Sequence, residues 1–289
     1  MRHIPKSGPP PRRASKAVRS GPLAAIMLLI AGLMLAPVAS ANDLVIPIDL
    51  PQPNFVGLGI GSYPDYFGSK DSAIGAAPLV MLRLGGERYV ELLANQVRIN
   101  LIDDRNWRLG PSVIYHFGRD DDIEDPVVRK LHEIEDSIDV GFFGGYTWRD
   151  TGNDRKRLGF SAWTTTDVTG GHDGWTAGAN VFGMYPVALP VTIAGGAGFT
   201  YGDGNYMDTY FGVTPDDSLA SGLAPFSPGA GVRDARGWVV AMLHLSPQWH
   251  LGVGALYSRL LNDAKDSPIV SERGSADQWV YGIGAMYAW

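Results

Sequence analysis

The sequence predicts an all-β protein, a transmembrane antiparallel up-and-down β-barrel of about twelve strands. Segments of about ten residues, long enough to cross a bilayer as tilted strands, recur along the chain. Within them large apolar side chains alternate with small ones, as Trp279, Tyr281 and Ile283 alternate with Val280 and Gly282. A soluble β-sandwich would alternate in the same way. Aromatic residues near the strand ends, where a membrane barrel carries its interfacial girdle, favour the barrel.

Residues 1–41 have the layout of a cleaved export signal. A basic stretch without acidic residues comes first, an apolar run at 23–36 follows, and Ala39 and Ala41 form a small-x-small cleavage site. The apolar run is too short for a transmembrane helix, although a retained membrane anchor is the alternative. Cleavage removes six basic residues and no acidic ones, so the mature chain is more acidic than the formal charge of −6 of the whole sequence.

Composition excludes several classes of protein. The 289-residue chain contains no cysteine, which rules out disulfide scaffolds, cysteine-ligated zinc, iron–sulfur clusters and thiol nucleophiles. Its acidic balance argues against nucleic acid as a partner, because proteins bind the phosphate backbone mainly through lysine and arginine.

The mature chain divides into two predicted parts. Residues 42–53 contain three prolines among apolar residues and are interpreted as an extended periplasmic segment. Residues 54–289 form the predicted outer-membrane barrel. Its predicted strands lie at about 54–63, 74–83, 88–94, 96–102, 107–118, 138–148, 157–167, 175–186, 191–201, 229–245, 249–260 and 276–289.

The parity of the strands predicts the topology. With both ends of the barrel in the periplasm, the long polar segments 119–137, 202–228 and 261–275 face outside and the short links face the periplasm. Region 229–245 is kept as one long strand, because dividing it would reverse the parity of everything before it. The two strands within 88–102 are short for a bilayer, and merging them with their neighbours would give ten strands.

Two motifs suggest ligands but have simpler explanations. Gly57, Gly59 and Gly61 resemble part of a dinucleotide loop, but Pro64 follows where a helix would be needed, so glycines on the lumen face of a strand explain them better. We therefore expect no cofactor. The acidic residues of 119–137 could hold calcium, but they lack the glycine turn of an EF-hand loop. A solvated acidic outer loop is the preferred interpretation, and binding of divalent cations is the alternative.

His172 and Asp173, which lie between glycines, form the best catalytic-looking pair. No nucleophile or orienting acid can be assigned to them, so an exposed polar turn is the favoured interpretation. The histidines lack paired metal-ligand spacing, so the sequence predicts neither catalytic nor metal-binding residues. The polar side chains predicted to line the lumen are Arg108, His116, Asn180 and His250.

An ordered set of short motifs runs along the predicted barrel. They are Pro64-Asp65-Tyr66-Phe67-Gly68-Ser69, Gly110-Pro111 with Tyr115, Gly118-Arg119-Asp120, Gly171-His172-Asp173-Gly174, Tyr210-Phe211-Gly212-Val213, Tyr257-Ser258-Arg259-Leu260 and Asp263-Ala264-Lys265-Asp266-Ser267-Pro268-Ile269-Val270. With the terminal strand, which ends in Tyr287 and Trp289, this set resembles the MipA/OmpV family of outer-membrane proteins. We interpret the motif residues as structural. Pro64 is expected to end the first strand, Tyr66 to anchor at the interface, and Asp266, Ser267 and Pro268 to brace an outer loop.

The resemblance implies an outer-membrane barrel, surrounded by lipid and inserted by the barrel-assembly machinery. It also implies a scaffold that bridges a lytic transglycosylase and a bifunctional penicillin-binding synthase during peptidoglycan growth. Relatives are also described as antigens or adhesion factors. The family has no established catalytic residues. Three hypotheses remain open: a non-enzymatic docking platform, a small diffusion channel, and a rim hydrolase that uses His172 or Asp173.

Overall fold

A computed structural model describes residues 54–289. The predicted export signal, with Ala39 and Ala41, and the segment 42–53 lie outside the described residues. Twelve antiparallel strands form a closed barrel in which each strand pairs with its neighbours in sequence and β12 pairs with β1. Strands β1 to β12 are Phe55–Pro64, Ser72–Gly85, Arg88–Leu93, Gln96–Asn100, Trp107–His116, Ser137–Arg149, Arg157–Asp167, Trp175–Ala188, Val191–Gly202, Gly231–His244, Trp249–Leu260 and Asp277–Ala288.

The two ends of the barrel differ in the length of their connections. The long connections, 117–136, 203–230 and 261–276, lie at one end, which we call the outer end. The other, periplasmic end carries shorter links, including 101–106 and 150–156. The prediction of twelve strands is confirmed, as is the single long strand β10. None of the helices among the described residues is long and apolar enough to cross a membrane.

Large apolar side chains cover the outside of the barrel. Phe142 and Ile283 are 64% and 68% exposed, as expected for side chains that face lipid rather than a second sheet. Six tryptophans, which lie at or near the strand ends where the sequence predicts an aromatic girdle, are exposed in the same way; they are Trp107, Trp148, Trp175, Trp249, Trp279 and Trp289. Trp163 and Trp238 instead point inward and are buried.

One turn of 3₁₀ helix, Val128–Lys130, and four short α-helices lie in the described outer loops. The α-helices are α1 (Gly204–Phe211), α2 (Pro215–Ser221), α3 (Asn262–Asp266) and α4 (Pro268–Ser271). Asp203 caps α1 by accepting a hydrogen bond from the Tyr206 amide. Thr214 and Asp217 form a capping box at the start of α2. Local sequence signals therefore fix both helix starts.

The outer loops fold over the mouth of the barrel and bury two apolar clusters. We call these loops, together with the two clusters, the cap. The first cluster is Ile134, Tyr206, Met207, Tyr210, Phe211, Leu260, Ala264 and Val270. The second is Tyr66, Ile123, Val128, Leu131, Val213, Leu223 and Ile269. A third cluster forms a floor near the periplasmic end of the lumen and consists of Phe55, Met81, Tyr89, Met242, Met286 and Ala288.

Strands β3 and β4 form a short hairpin that covers only part of the barrel height. Its tip, Ala94–Asn95, meets the two neighbouring strands. The Ala94 amide donates to the Pro78 carbonyl (2.9 Å), and the Asn95 side-chain amide donates to the Tyr115 carbonyl (2.7 Å). Above the tip, residues 72–77 of β2 pair with β1, and pairing of β2 with β3 starts only at Leu79.

Candidate functional site: the cap and the polar cluster beneath it

The motif residues in the outer loops converge in the cap. The Ser267 hydroxyl donates to the Phe211 carbonyl (2.7 Å), which joins two motifs that lie 56 residues apart. The Gly68 amide donates to the Gln278 side-chain oxygen (3.2 Å), and the Gln278 side-chain amide donates to the Ser69 carbonyl (3.0 Å). These contacts connect the first outer loop to the last strand.

Gly68 shows why one of these positions needs glycine. Its φ of +86° is in the left-handed region, and an added Cβ would lie 2.4 Å from a methyl carbon of Val270. The motif around Gly68 thus supports a tight turn against the helix that contains Val270.

Two carboxylates hold the cap loops together. Both Asp125 oxygens accept hydrogen bonds from Arg273, at 3.2 and 2.9 Å. Burial of Asp125 acts to raise its pKa, but hydrogen bonds from Arg273 and from the Val128 and Val127 amides outweigh this and lower the pKa. Asp125 is therefore a buried structural anion rather than part of a solvated acidic loop.

The second carboxylate is Asp217. It accepts hydrogen bonds from the His132 amide (2.6 Å) and contacts the His132 ring (2.8 Å), while also closing the Thr214 capping box. Burial of Asp217 acts to raise its pKa, but the hydrogen bonds from His132 and Thr214 lower the pKa to about 2. Helix α2 is thereby joined to the loop between β5 and β6.

A buried polar cluster lies just below the cap. Strand β5 contributes His116, β6 contributes Asp139, and the loop before β8 contributes His172; all three are buried. His172 Nε2 lies 2.9 Å from one Asp139 oxygen and His116 Nε2 lies 3.4 Å from the other. The Thr165 hydroxyl donates to Asp139 at 3.2 Å.

The geometry of His172 argues against a metal ion in this cluster. Its Nδ1 accepts a hydrogen bond from the Gly174 amide (3.1 Å), so the proton of a neutral ring must reside on Nε2. Nε2 then donates to Asp139 and has no lone pair for a metal. Metal-bound histidines show the reverse arrangement, with the second nitrogen donating. The cluster therefore acts as a clamp between strands and loop.

The cap is anchored to the wall by Arg233 of β10. A β-bulge between Val232 and Asp234 lets adjacent residues Arg233 and Asp234 both be buried. The guanidinium of Arg233 lies 2.7 Å from Asp234 and 4.6 Å above the Phe67 ring, and it donates to the Tyr206 hydroxyl.

A second buried ion pair lies lower in the lumen. Arg98 of β4 and Glu91 of β3 are 2.6 Å apart, and the Arg98 guanidinium lies 5.4 Å from the Phe143 ring. Together with Arg108 they border a cavity of about 60 Å³. The prediction of a lumen with polar side chains is confirmed: Arg108 borders this cavity, and His116, Asn180 and His250 are buried on inward-facing positions.

Three further expectations from the sequence need correction. Tyr66 is buried in the cap rather than anchored at the membrane interface, since the first outer loop folds inward. His172 is buried, and only Asp173 is exposed, because the flanking Gly171 and Gly174 allow close packing: an added Cβ would lie 2.7 Å from Ser137 and 2.5 Å from Tyr206, respectively. Ser267, rather than Asp266, braces the outer loop by capping α4; Asp266 pairs with the neighbouring Lys265 (3.3 Å).

The other motif residues lie in the strands and in the outer loops. Pro64 is the last residue of β1. Gly110 lies against β4, where an added Cβ would be 1.8 Å from the Ile99 carbonyl oxygen, and Pro111 follows it on the outer face. Tyr287 and Trp289 stack with ring centroids 6.2 Å apart at the end of the chain. Asp65, Tyr210 and Gly212 lie in the outer loops with the cap.

The sequence indicates which strands and loops carry the polar residues of the lumen and the cap, but it does not indicate which of these residues contact each other. Nothing in the sequence distinguishes Asp139 from the other carboxylates as the partner of His172. Strict alternation along β10 would place Arg233 on the side that faces lipid. The charged run Arg233-Asp234-Ala235-Arg236 inside an alternating strand was the available signal, because unpaired charges do not belong on a lipid face.

A closed barrel with an apolar outer surface, a polar lumen and loops folded over one end defines an outer-membrane β-barrel protein. The sequence profile of the MltA-interacting protein MipA family matches residues 56–289, and the chain belongs to that family. It is accordingly a protein of the outer membrane, like its named relatives.

Similar proteins share only part of their length with the chain. It is 28% identical over 121 residues to outer membrane protein Omp26La of Vibrio anguillarum, covering 42% of this chain and 45% of the relative. It is 26% identical over 121 residues to outer membrane protein OmpV of Vibrio cholerae, with the same coverage. The chain spans about half the length of the curated relatives it matches.

The chain also matches solved structures of outer-membrane channels at low identity. The COG4313 outer membrane channel from Pseudomonas putida F1 is 12% identical, covers 83% of this chain and 97% of its own, and has a TM-score of 0.48. The NanC porin is 12% identical, covers 82% of this chain and 100% of its own, and has a TM-score of 0.45.

Proposed function

We propose that this chain is a non-enzymatic docking platform that assembles peptidoglycan-synthesising and peptidoglycan-cleaving enzymes at the outer membrane. The observation that carries the proposal is the packed cap, whose buried clusters and ion pairs cover the outer mouth. A covered mouth suits an anchor better than an open pore. The family description, which names an interaction with MltA, supports a periplasmic partner.

The periplasmic rim offers a fixed charged surface for such a partner. The links 101–106 and 150–156 contact each other through Arg105 and Asp154, and the Arg149 side chain donates to the Arg105 carbonyl (3.0 Å). Hydrogen bonds from the Trp107 and Asn106 amides lower the pKa of Asp104, which keeps this exposed carboxylate ionised. Exposed charges at an interface act mainly on association rate and specificity.

Site-specific photo-crosslinking in cells tests this proposal. A photoreactive residue at Thr151 or Asn153, both exposed on the periplasmic rim, should capture a lytic transglycosylase and a penicillin-binding synthase. The matched control is Leu219 in the cap, which is 87% exposed at the opposite end. Capture of neither enzyme from the rim, or equal capture from Leu219, would contradict the platform.

A small diffusion channel is the second candidate. The cavity beside Arg98 and Arg108 favours it, because a charged constriction is a common way for a pore to select its solutes. Planar-bilayer recording separates the two functions, since a platform does not require conductance.

A further inference from the structure

The lumen contains a second, larger cavity of about 200 Å³ against the wall formed by β10, β11, β12, β1 and β2. It exceeds the roughly 150 Å³ of an engineered apolar cavity that binds benzene. Its inward-facing lining is apolar or glycine and includes Gly59, Ala77, Leu79, Val240, Gly252 and Leu256. Met242 and Met286 of the floor close its periplasmic side.

The lining determines which ligands the cavity can hold. Apart from Ser62, Tyr63 and Tyr281, which lie toward the outer end, its residues have apolar side chains or none. A polar solute there would lose its hydration without gaining hydrogen-bond partners, and this is unfavourable. An aliphatic chain has no hydrogen bonds to lose there, and it exchanges its contacts with lipid tails for contacts with the apolar lining.

The short β3–β4 hairpin leaves a window in the barrel wall next to this cavity. The window is framed by residues 72–77 of β2, by the hairpin tip Ala94–Asn95, and by Tyr115 of β5. Above it the first outer loop contacts the third, where the Glu124 amide donates to Asp65 (2.8 Å). Among the described strands, residues 72–77 pair only with β1.

The cavity reaches the frame of the window. Gly75 and Ala77 of β2 and Ala94 of the hairpin tip belong to its lining. On the outside of the same β2 segment, Ile74 is 80% exposed and faces the lipid. The apolar lining therefore extends to the β2 segment that has no second strand partner within residues 54–289 and whose outer side carries the exposed Ile74.

We propose that the cavity binds a single aliphatic chain, which enters sideways from the surrounding membrane through the window. The chain lies along the glycine-rich wall with its end against the methionines of the floor. This inference is independent of the proposed docking function, because it concerns the lumen rather than the periplasmic rim.

Fluorescence quenching by brominated chains tests the proposal. Trp238 points into the lumen and packs with Leu256 beside the cavity, whereas six other tryptophans are exposed on the outside. The full barrel is reconstituted in phosphatidylcholine vesicles that contain 9,10-dibromostearic acid. The emission lost on Trp238→Phe reports Trp238 alone, and we expect that emission to be quenched.

Gly252→Phe should abolish the quenching of Trp238 by filling the cavity. An added Cβ at Gly252 meets no atom within 4 Å, so the substitution is accommodated without backbone strain. Gly59→Leu serves as a second filling variant, since its Cβ would meet the nearest atom at 3.6 Å. The matched control is Gly183→Phe on the lipid face of β8, which should leave the quenching unchanged.

The outcomes distinguish a free amphiphile from a bilayer lipid as the occupant of the cavity, and they test the window as its route of entry. Quenching by dibromostearic acid alone identifies a free amphiphile, and quenching by brominated phosphatidylcholine as well identifies a chain of the bilayer lipid. Unquenched Trp238, or quenching that both filling variants leave intact, overturns the site. Ala73→Phe, at a position in the frame of the window but outside the cavity lining, should slow the onset of quenching; an unchanged rate overturns the window as the entrance.

Discussion

His172 illustrates how one backbone contact decides the chemistry of a side chain. The Gly174 amide occupies Nδ1 and so assigns the proton to Nε2, which faces Asp139. A histidine that looks catalytic in sequence thereby becomes a buried hydrogen-bond donor. Tyr206 of α1 packs edge-on against the ring, with centroids 5.1 Å apart, and joins the clamp to the cap.

Replacing His172 by alanine should destabilise the barrel by about 3 kcal/mol, because it removes one partner of a buried carboxylate. Urea unfolding in lipid vesicles measures the change. His132→Ala, whose ring is 39% exposed, should cost less than about 1 kcal/mol. Added Zn²⁺ should not shift the unfolding midpoint of the wild type; a zinc-dependent increase that His172→Ala abolishes would show that the cluster binds metal.

Gly110→Ala should destabilise by more than about 2 kcal/mol, since its Cβ would collide with the Ile99 carbonyl at 1.8 Å. Gly252→Ala, whose Cβ enters open space, should change stability by less than about 0.5 kcal/mol. The same unfolding titration compares the two. Equal effects would show that β4 and β5 are farther apart at Gly110 than the structure indicates.

At the scale of elements, the strands were predictable and the cap was not. Large apolar and small side chains alternate within a strand, so about ten residues of sequence are enough to identify each strand. The cap depends on pairs such as Asp125 with Arg273 and Phe211 with Ser267, which lie far apart in sequence and carry no local period. The β-bulge before Asp234 interrupts the alternation of β10, and strict alternation would place Arg233 on the side of the strand that faces lipid.

Acid should loosen α2 before it unfolds the barrel. The pKa of Asp217 is lowered from 3.8 to about 2, so its hydrogen bonds stabilise the cap above pH 4 and are lost as the pH falls toward 2. Hydrogen exchange of residues 204–223, corrected for intrinsic rates, should rise in that range. Asp217→Asn should remove most of this pH dependence, and Asp216→Asn on the exposed side of α2 should retain it. A rise that is the same in both variants would exclude Asp217 as the cause.

For the whole molecule, the cap at one end and the apolar floor at the other predict a barrel that does not conduct ions. The cap covers the outer mouth, and the apolar floor around Phe55 and Met286 lies in the lumen near the periplasmic end. The wild type should therefore show no steady conductance in planar bilayers at neutral pH. Replacing α1 with a flexible linker should not open it, because the floor persists. A steady current through the wild type would favour the diffusion channel instead.

The seam between β1 and β12 sets the order of events during biogenesis. Phe55–Ser62 pairs with residues from the end of the chain, and Asn54 exchanges backbone hydrogen bonds with Trp289 at 3.3 and 3.0 Å. The backbone groups along one edge of β1 therefore stay without hydrogen-bond partners until β12 is in place. A chain truncated before Asp277 would lack β12 and leave β1 and β11 each with an unpaired edge, which is a template for aggregation. Cellular quality control would therefore have to recognise unpaired strand edges rather than exposed core residues.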